Sequence, residues 1–303
     1  MTPVLTPTRR ARLRVFSRAL PWLLGLGLLS GCAHHHTAAP GAQTVQAPAP
    51  QGEVKGSAWQ HSAASLRAAV HQGRLVLPPA AAGGAVYVGP WDGAPAATGP
   101  RVPLVVFLHG SSGLGLAAIE AWQRSLAQMG VASLAPDSFT LPDRITYKSP
   151  VSREVYEQVH ALRMAEAVAA LDLVRASPRV DPNRIVLAGT SEGATSVARY
   201  TGPGVIGRLI YAWSCEDNYF VAQARNHLPP SQPVLNVISV TDPFFSPSNA
   251  WLGKPGAQGH CGAALSGHKQ SQVVLVPDAP HTLLTLPQTQ QATAAFLKSV
   301  LGL

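Results

Sequence analysis

The residues most suited to chemistry are Gly189-Thr190-Ser191-Glu192-Gly193, which fit the pattern G-x-S-x-G. In a chain with 27 glycines three fixed positions say little alone, and the flanking residues say more. An apolar run, Ile185–Ala188, leads in as a strand would, and a helical pattern, Ala194–Tyr200, leads out. A turn that tight needs glycines where backbones approach closely, and it lifts the serine above the sheet edge over a helix N-terminus. A serine hydroxyl is a weak nucleophile, so the chemistry implied is attack on a carbonyl, assisted by a base and an orienting carboxylate.

Both partners are found later in the chain, in the order serine, acid, histidine. Asp242 directly follows the apolar run Val234–Val240, and His281 follows Val273–Val276 through the short loop Pro277-Asp278-Ala279-Pro280. Active sites of open α/β sheets lie beyond the carboxyl ends of their strands, which would bring these residues together. Asp217 is the competing acid and Asp278 a third; Asp242 is preferred because it ends the strand before the histidine's. His260 and His268 are rival bases, but neither directly follows a strand. The developing oxyanion also needs donors. The backbone N–H of Glu192 supplies one, and that of Ser111, in the loop His109-Gly110-Ser111-Ser112-Gly113, the other. A phosphate-binding reading of this loop fails because no Gly-Lys-Ser/Thr follows. The Glu192 side chain is expected to act as a favourable charge in the first helical turn.

The elements that must position these groups read as alternating strands and helices. Short apolar runs suggest strands at Arg74–Leu77, Ala85–Val88, Leu104–Leu108, Val131–Ala135, Ile185–Ala188, Leu209–Trp213, Val234–Val240 and Val273–Val276. Helical stripes run through Ile119, Trp122, Leu126 and Met129, then Val155, Val159, Leu162, Ala165 and Ala169 on a long helix ending near Ala176. A last stripe is Ala292, Ala295, Phe296, Ser299 and Val300. This pattern predicts an α/β domain over 58–303, with a mostly parallel sheet of about eight strands, helices on both faces and a leading antiparallel hairpin. About 20 residues separate Trp213 from Val234, too few for a large cap. Trp213, Tyr219, Phe244, Phe245 and Trp251 follow strands at the active end, where they would line a pocket or pack into the core.

The amino terminus reads differently. Five arginines and no acid occupy residues 1–31, followed by the apolar run Ala19–Leu29, as in a secretory signal. The formal charge of +8 falls to +3 without that segment. No basic cluster follows it, which excludes a nucleic-acid partner. Residues 32–57, rich in Ala, Pro and Gly, read as a tether that includes His34-His35-His36. Cys215 and Cys261 are the later cysteines, expected to pair in an oxidising compartment, with two separate buried thiols or a nucleophilic cysteine as the alternatives.

Two resemblances sharpen these expectations. Leu29-Ser30-Gly31-Cys32 resembles the lipobox of bacterial lipoproteins, which implies cleavage before Cys32, acylation of Cys32 (with palmitate among the chains), and anchoring to a bacterial membrane, the outer membrane being favoured. From about residue 100 to 300 the chain resembles the dienelactone-hydrolase-related branch of the α/β-hydrolase superfamily. The stretches that carry this are VPLVVFLHGSSG, VASLAPDSF, LRMAEAVAALDLVRASPRVDPNRIVLAGTSEGA, YAWSC, VTDPFF and DAPHTLL. The resemblance implies an α/β-hydrolase fold, a Ser191–His281–Asp242 triad, and structural roles for Asp137 and the Arg163/Glu166 pair. Dienelactone hydrolases carry cysteine where this chain has Ser191, so a serine esterase acting on small esters without a cofactor is the expectation. An acyltransferase or peptidase using the same triad, and a binding lipoprotein without catalysis, are the alternatives.

Overall fold

The computed structural model describes residues 51–303. The expected export segment over residues 1–31, Cys32 and the His34–His36 triplet lie outside the described residues. No helix among the described residues is long and apolar enough to cross a membrane.

The first half of the domain contains β1 (Val54–Lys55), α1 (Ala63–His71), β2 (Arg74–Leu77), α2 (Pro79–Ala82) and β3 (Tyr87–Pro90). It continues with β4 (Val102–Leu108), α3 (Ala117–Gln128), β5 (Ala132–Ala135) and β6 (Thr146–Tyr147). The second half contains α4 (Arg153–Ala176), β7 (Val180–Thr190), α5 (Glu192–Arg199), β8 (Gly207–Tyr211), β9 (Val234–Ser239), β10 (Gln272–Val276) and α6 (Pro287–Leu301). Eight strands form one sheet in the order β10-β9-β8-β7-β4-β5-β2-β3. Its six strands from β10 to β5 are parallel, and β2 runs antiparallel to both β5 and β3.

Period-2 alternation explains how one strand serves two cores. In β4, Leu104, Val106 and Leu108 face one apolar cluster, with Ala170, Leu171 and Val174 of α4 and Val197 of α5. Val105 and Phe107 face the other, with Ile119 and Trp122 of α3 and Leu297 of α6. Every residue of β4 is buried, which is why a parallel central strand reads as an unbroken apolar run. From β4 the chain passes to β5 on one side and later to β7 on the other. The sheet therefore has its topological switch at the carboxyl ends of β4 and β7, where a crevice must open.

Several expectations shift at their edges. The segment expected as tether to residue 57 is held by the fold from Gly52 onward: Gly52 donates to Pro150 O at 2.7 Å, and β1 pairs with β6. So short and exposed a ladder leaves no apolar periodicity in the sequence. Helix α1, capped by Ser62, is an element that the apolar stripes do not predict. Strand β3 sits two residues later than its apolar run, where pairing with Arg74–Leu77 fixes its register. Strand β8 ends at Tyr211 rather than Trp213, because Ala212 turns the chain at φ 48°. Among the described residues no helix lies between β8 and β9, so any cap is made of loops.

Candidate active site

The turn from β7 into α5 places Ser191. Its backbone sits at φ 53° and ψ −118°, a region that costs a non-glycine residue about 1–3 kcal/mol. The neighbours hold it there: Ser191 N donates to Tyr211 O at 2.9 Å, and Ala194 N donates to Ser191 O at 3.0 Å. Both glycines of the motif are required sterically. A Cβ on Gly193 would lie 2.3 Å from Leu108 O, and one on Gly189 would lie 2.8 Å from Gly193 C. Gly110, in the loop after β4, also runs near this turn, since a Cβ there would lie 3.3 Å from Ser191 Cβ.

Asp242 and His281 arrive from the ends of β9 and β10. His281 Nδ1 donates to Asp242 Oδ2 at 2.7 Å. The other carboxylate oxygen, Oδ1, accepts the backbone N–H groups of Phe244 and Phe245 at 2.9 and 3.0 Å. Asp242 is wholly buried, and those amides fix its carboxylate so that one oxygen is left for the imidazole. The loop before His281 is tied back by Ser239 Oγ, which donates to Ala279 O at 2.6 Å. Ser191 and His281 line one solvent-open cleft, together with Gly110, Ser111 and Ser112. Of the expected triad, the His281–Asp242 hydrogen bond is present among the described residues and a Ser191–His281 bond is not.

The rival residues are engaged elsewhere. Asp217 Oδ1 accepts from Ala224 N at 2.7 Å, and Asp278 adopts φ 49° in its loop. His260 Nδ1 accepts from Gly262 N at 3.0 Å, while His268 Nδ1 shares a hydrogen bond with Ser271 Oγ at 3.3 Å. Of the five aromatics expected near the site, Tyr219, Phe244 and Phe245 line the cleft, joined by Phe220. Trp213 is fully buried beneath them, edge-on to Phe245 at 4.9 Å, and Trp251 packs on the outer side of Tyr219 at 6.1 Å. Cys215 and Cys261 form a disulfide that joins the loops following β8 and β9.

The loop 109–113 and the Ser191 turn share a buried ionic support that the motif alone does not announce. Glu192 is not a simple charge in the first helical turn. It is fully buried, and its carboxylate accepts from Arg144 at 2.7 Å and from the Tyr147 hydroxyl at 2.9 Å, with Arg163 Nε 3.6 Å away. Burial, and then the Glu192 charge, push the Tyr147 hydroxyl well above its ordinary pKa, so it stays a donor. Arg163 also pairs with Glu166 and donates to His109 O at 3.1 Å. Glu166 accepts from Ser138 Oγ at 2.6 Å and from His61 Nε2 at 2.9 Å. Burial would raise the Glu166 carboxyl, but the Arg163 charge and the bonds from His61 and Ser138 outweigh it and hold it at about 2.

His109 completes this support. Its Nδ1 donates to Gly110 O at 2.6 Å, while Nε2 accepts from Ser138 N at 3.1 Å and Arg163 at 3.2 Å. Burial, with Arg163 beside it, drives its pKa well below the usual imidazole value, so it stays neutral in this tautomer. The carbonyl it holds immediately precedes Ser111, whose amide is one expected oxyanion donor. Among the described residues neither the Ser111 nor the Glu192 amide has a protein acceptor. The Asp137 side chain accepts from Phe139 N at 2.9 Å and shapes the loop that delivers Ser138.

No protein-family model matches the chain, and no curated protein matches it. Solved structures do resemble it. A cold-adapted esterase from an Arctic intertidal metagenomic library is 19% identical over 71% of this chain and 87% of its own, with a TM-score of 0.48. Est1E of Butyrivibrio proteoclasticus is 16% identical over 67% and 91%, with a TM-score of 0.43. A dienelactone hydrolase of Anabaena variabilis is 17% identical over 75% and 89%, with a TM-score of 0.44. On its own topology, with a mostly parallel eight-stranded sheet and a strand–Ser191–helix turn at the switch between β4 and β7, the chain has the α/β-hydrolase fold.

Proposed function

We propose that this protein is a serine hydrolase that cleaves carboxylic esters through Ser191, His281 and Asp242. The observation that carries the reading is the Asp242–His281 hydrogen bond, with His281 opening into the cleft that Ser191 also lines. Asp242 holds the imidazole with Nδ1 protonated, which leaves Nε2 as the base. In the first step His281 takes the Ser191 proton as Oγ bonds to the ester carbonyl carbon. The carbonyl electron pair moves onto oxygen, where the Ser111 and Glu192 amides meet the charge. Collapse expels the alcohol, which receives the proton from His281, and leaves an acyl-Ser191 ester. A water, deprotonated by the same histidine, attacks that ester; Ser191 leaves with the proton and the acid is released.

A fluorophosphonate probe tests this directly. The expected result is a single adduct on Ser191 of the folded protein, lost in Ser191→Ala, together with turnover of 4-nitrophenyl esters. A folded protein with no adduct and no turnover overturns it and favours a binding role. We also propose that the mature chain is exported and lipid-anchored through Cys32. The Leu29-Ser30-Gly31-Cys32 sequence supports this, as does a disulfide suited to an oxidising compartment. Mass spectrometry of the mature amino terminus tests it, and an unmodified Cys32 refutes it.

A further inference from the structure

Two of the polar side chains in the cleft that the triad does not use, Ser149 and Tyr219, are linked through Tyr156. Ser149 and Tyr219 both line the cleft. Tyr219 is only 8% exposed, with its ring near-parallel to Phe245 at 6.3 Å and edge-on to Tyr156 at 5.7 Å. Its hydroxyl is buried and makes no hydrogen bond of normal length in the protein, with the Ser149 hydroxyl as its neighbouring polar group. Ser149 Oγ accepts from Tyr156 OH at 2.9 Å, and Tyr156 OH in turn accepts from Val151 N at 3.1 Å. That order leaves the Ser149 proton free to donate. Burial pushes the Tyr219 pKa up, so this hydroxyl keeps its proton. The cleft as a whole is lined by apolar and neutral side chains besides His281, including Leu116, Ile119, Phe220 and Phe244, and its lining contains no Arg, Lys, Asp or Glu.

We propose that this pair forms a specificity subsite, in which Tyr219 and Ser149 donate hydrogen bonds to an acceptor oxygen on an uncharged aromatic part of the ester, remote from the scissile bond. The inference rests on the serine-hydrolase reading and names its substrate class: neutral aryl esters carrying a hydroxyl, ether or carbonyl substituent. A buried donor without a partner is costly, and a substrate oxygen placed there removes that cost. A site built this way discriminates against the analogue that lacks the oxygen, because the protein donor is then left unpaired. The aromatic wall offers edge and face contacts to a flat ring. With no cation in the lining, an anionic substituent would lose its water without gaining a counter-charge.

The test uses two substrate series, substituted benzoate esters and substituted benzyl acetates. Each has an unsubstituted parent and 4-methoxy, 4-acetyl and 4-carboxylate members. Wild type, Tyr219→Phe and Ser149→Ala are compared by the kcat/KM ratio of each substituted ester to its parent, so that intrinsic electronic effects cancel between proteins. In one series the methoxy or acetyl ratio should fall about tenfold in Tyr219→Phe, the size of one buried hydrogen bond, and should also fall in Ser149→Ala. The carboxylate member should be the poorest of its series. Unchanged ratios in both variants overturn the inference, even if absolute rates drop, because Tyr219 would then only pack. A preferred carboxylate ester overturns it too, as does failure to turn over either series by an enzyme whose Ser191 is labelled by fluorophosphonate. Loss of that labelling in wild type would instead bring down the serine-hydrolase reading itself.

Discussion

Arg144 is the residue whose removal should reveal how the oxyanion side of the site is held. Its guanidinium donates to Glu192 Oε1 at 2.7 Å, to Ser138 Oγ at 2.6 Å and to Ile145 O at 2.8 Å, all buried. Arg144→Met keeps much of the side-chain volume but removes the nearest cation from a fully buried carboxylate. Tyr147 and the more distant Arg163 Nε, at 3.6 Å, would remain. Removing one partner of a buried pair costs about 3–5 kcal/mol, because the other charge stays in the interior. In a domain of this size each kcal/mol lowers Tm by about 2–4 °C, so a fall of about 10 °C is expected. Glu192→Gln should destabilise for the mirrored reason, leaving Arg144 without its counter-charge.

The double variant distinguishes a network from two independent losses. Removing both charges removes the unpaired one, so Arg144→Met with Glu192→Gln should lose less stability than the two singles added, by about 2 kcal/mol. Activity should follow a different pattern. Deleting an oxyanion donor costs about 10²–10³ in kcat, and a displaced Glu192 amide should cost part of that, about tenfold or more, with KM changed less. Thermal unfolding and steady-state kinetics on the four proteins measure both. Additive stability losses, or an Arg144→Met protein melting within about 2 °C of wild type with unchanged kcat, would refute this account of the support.

Four further outcomes follow from the geometry. Asp242→Asn should lower kcat on a 4-nitrophenyl ester by about 10³–10⁴ through loss of the orienting carboxylate, whereas Asp217→Asn should leave it near wild type; the reverse result makes Asp217 the acid. Gly193→Ala should abolish soluble active protein, since its Cβ would sit 2.3 Å from Leu108 O, and near-normal activity of that variant would contradict the elbow geometry. Replacing Cys215 and Cys261 by serine opens a closure of 46 residues, which on the chain-entropy account stabilises by about 4 kcal/mol, seen as a lower midpoint in denaturant. Stability should also fall with acid: burial lowers His160 from 6.5 to about 4, so the unfolded chain binds its proton first and stability is lost as pH drops from about 6.5 toward 4. His160→Gln should flatten urea-midpoint profiles across that window, and an unchanged slope would refute the assignment.

How much of this was legible in the sequence depends on how local each signal is. The central strands are readable because both of their faces are buried; all of β4 and all of β9 are apolar or buried, bounded by turn residues. The sharp turn at Ser191 is readable because its two glycines are sterically forced within five residues. Asp242 and His281 are readable by their place after two late strands, although only three-dimensional packing brings them to 2.7 Å. The limits of the tether are not readable in this way, since β1 is two exposed residues paired with β6 about ninety positions away. Helix α1 did have a local signal that apolar stripes miss: the Ser62 cap accepts from Ser65 N, and an alanine-rich turn follows.

The ionic support behind the oxyanion loop is the least legible part, for a reason that bears on function. Its bonds join His61 to Glu166, Arg144 to Glu192 and Arg163 to His109, pairs separated by 105, 48 and 54 positions. No short window of sequence contains both members of these pairs; within the network only Arg163 and Glu166, three residues apart, are legible as a pair. Folded, these side chains lie in the interior, where each unpaired charge would be costly, so the chain must satisfy them all together. Both expected oxyanion donors sit on segments that this one network grips, Ser111 through His109 and Glu192 through Arg144. A local motif can place a nucleophile, but holding two amides toward one point requires contacts from distant parts of the chain. The Ser191 turn is therefore readable from five residues, while the machinery that would stabilise the charge it creates depends on the whole fold.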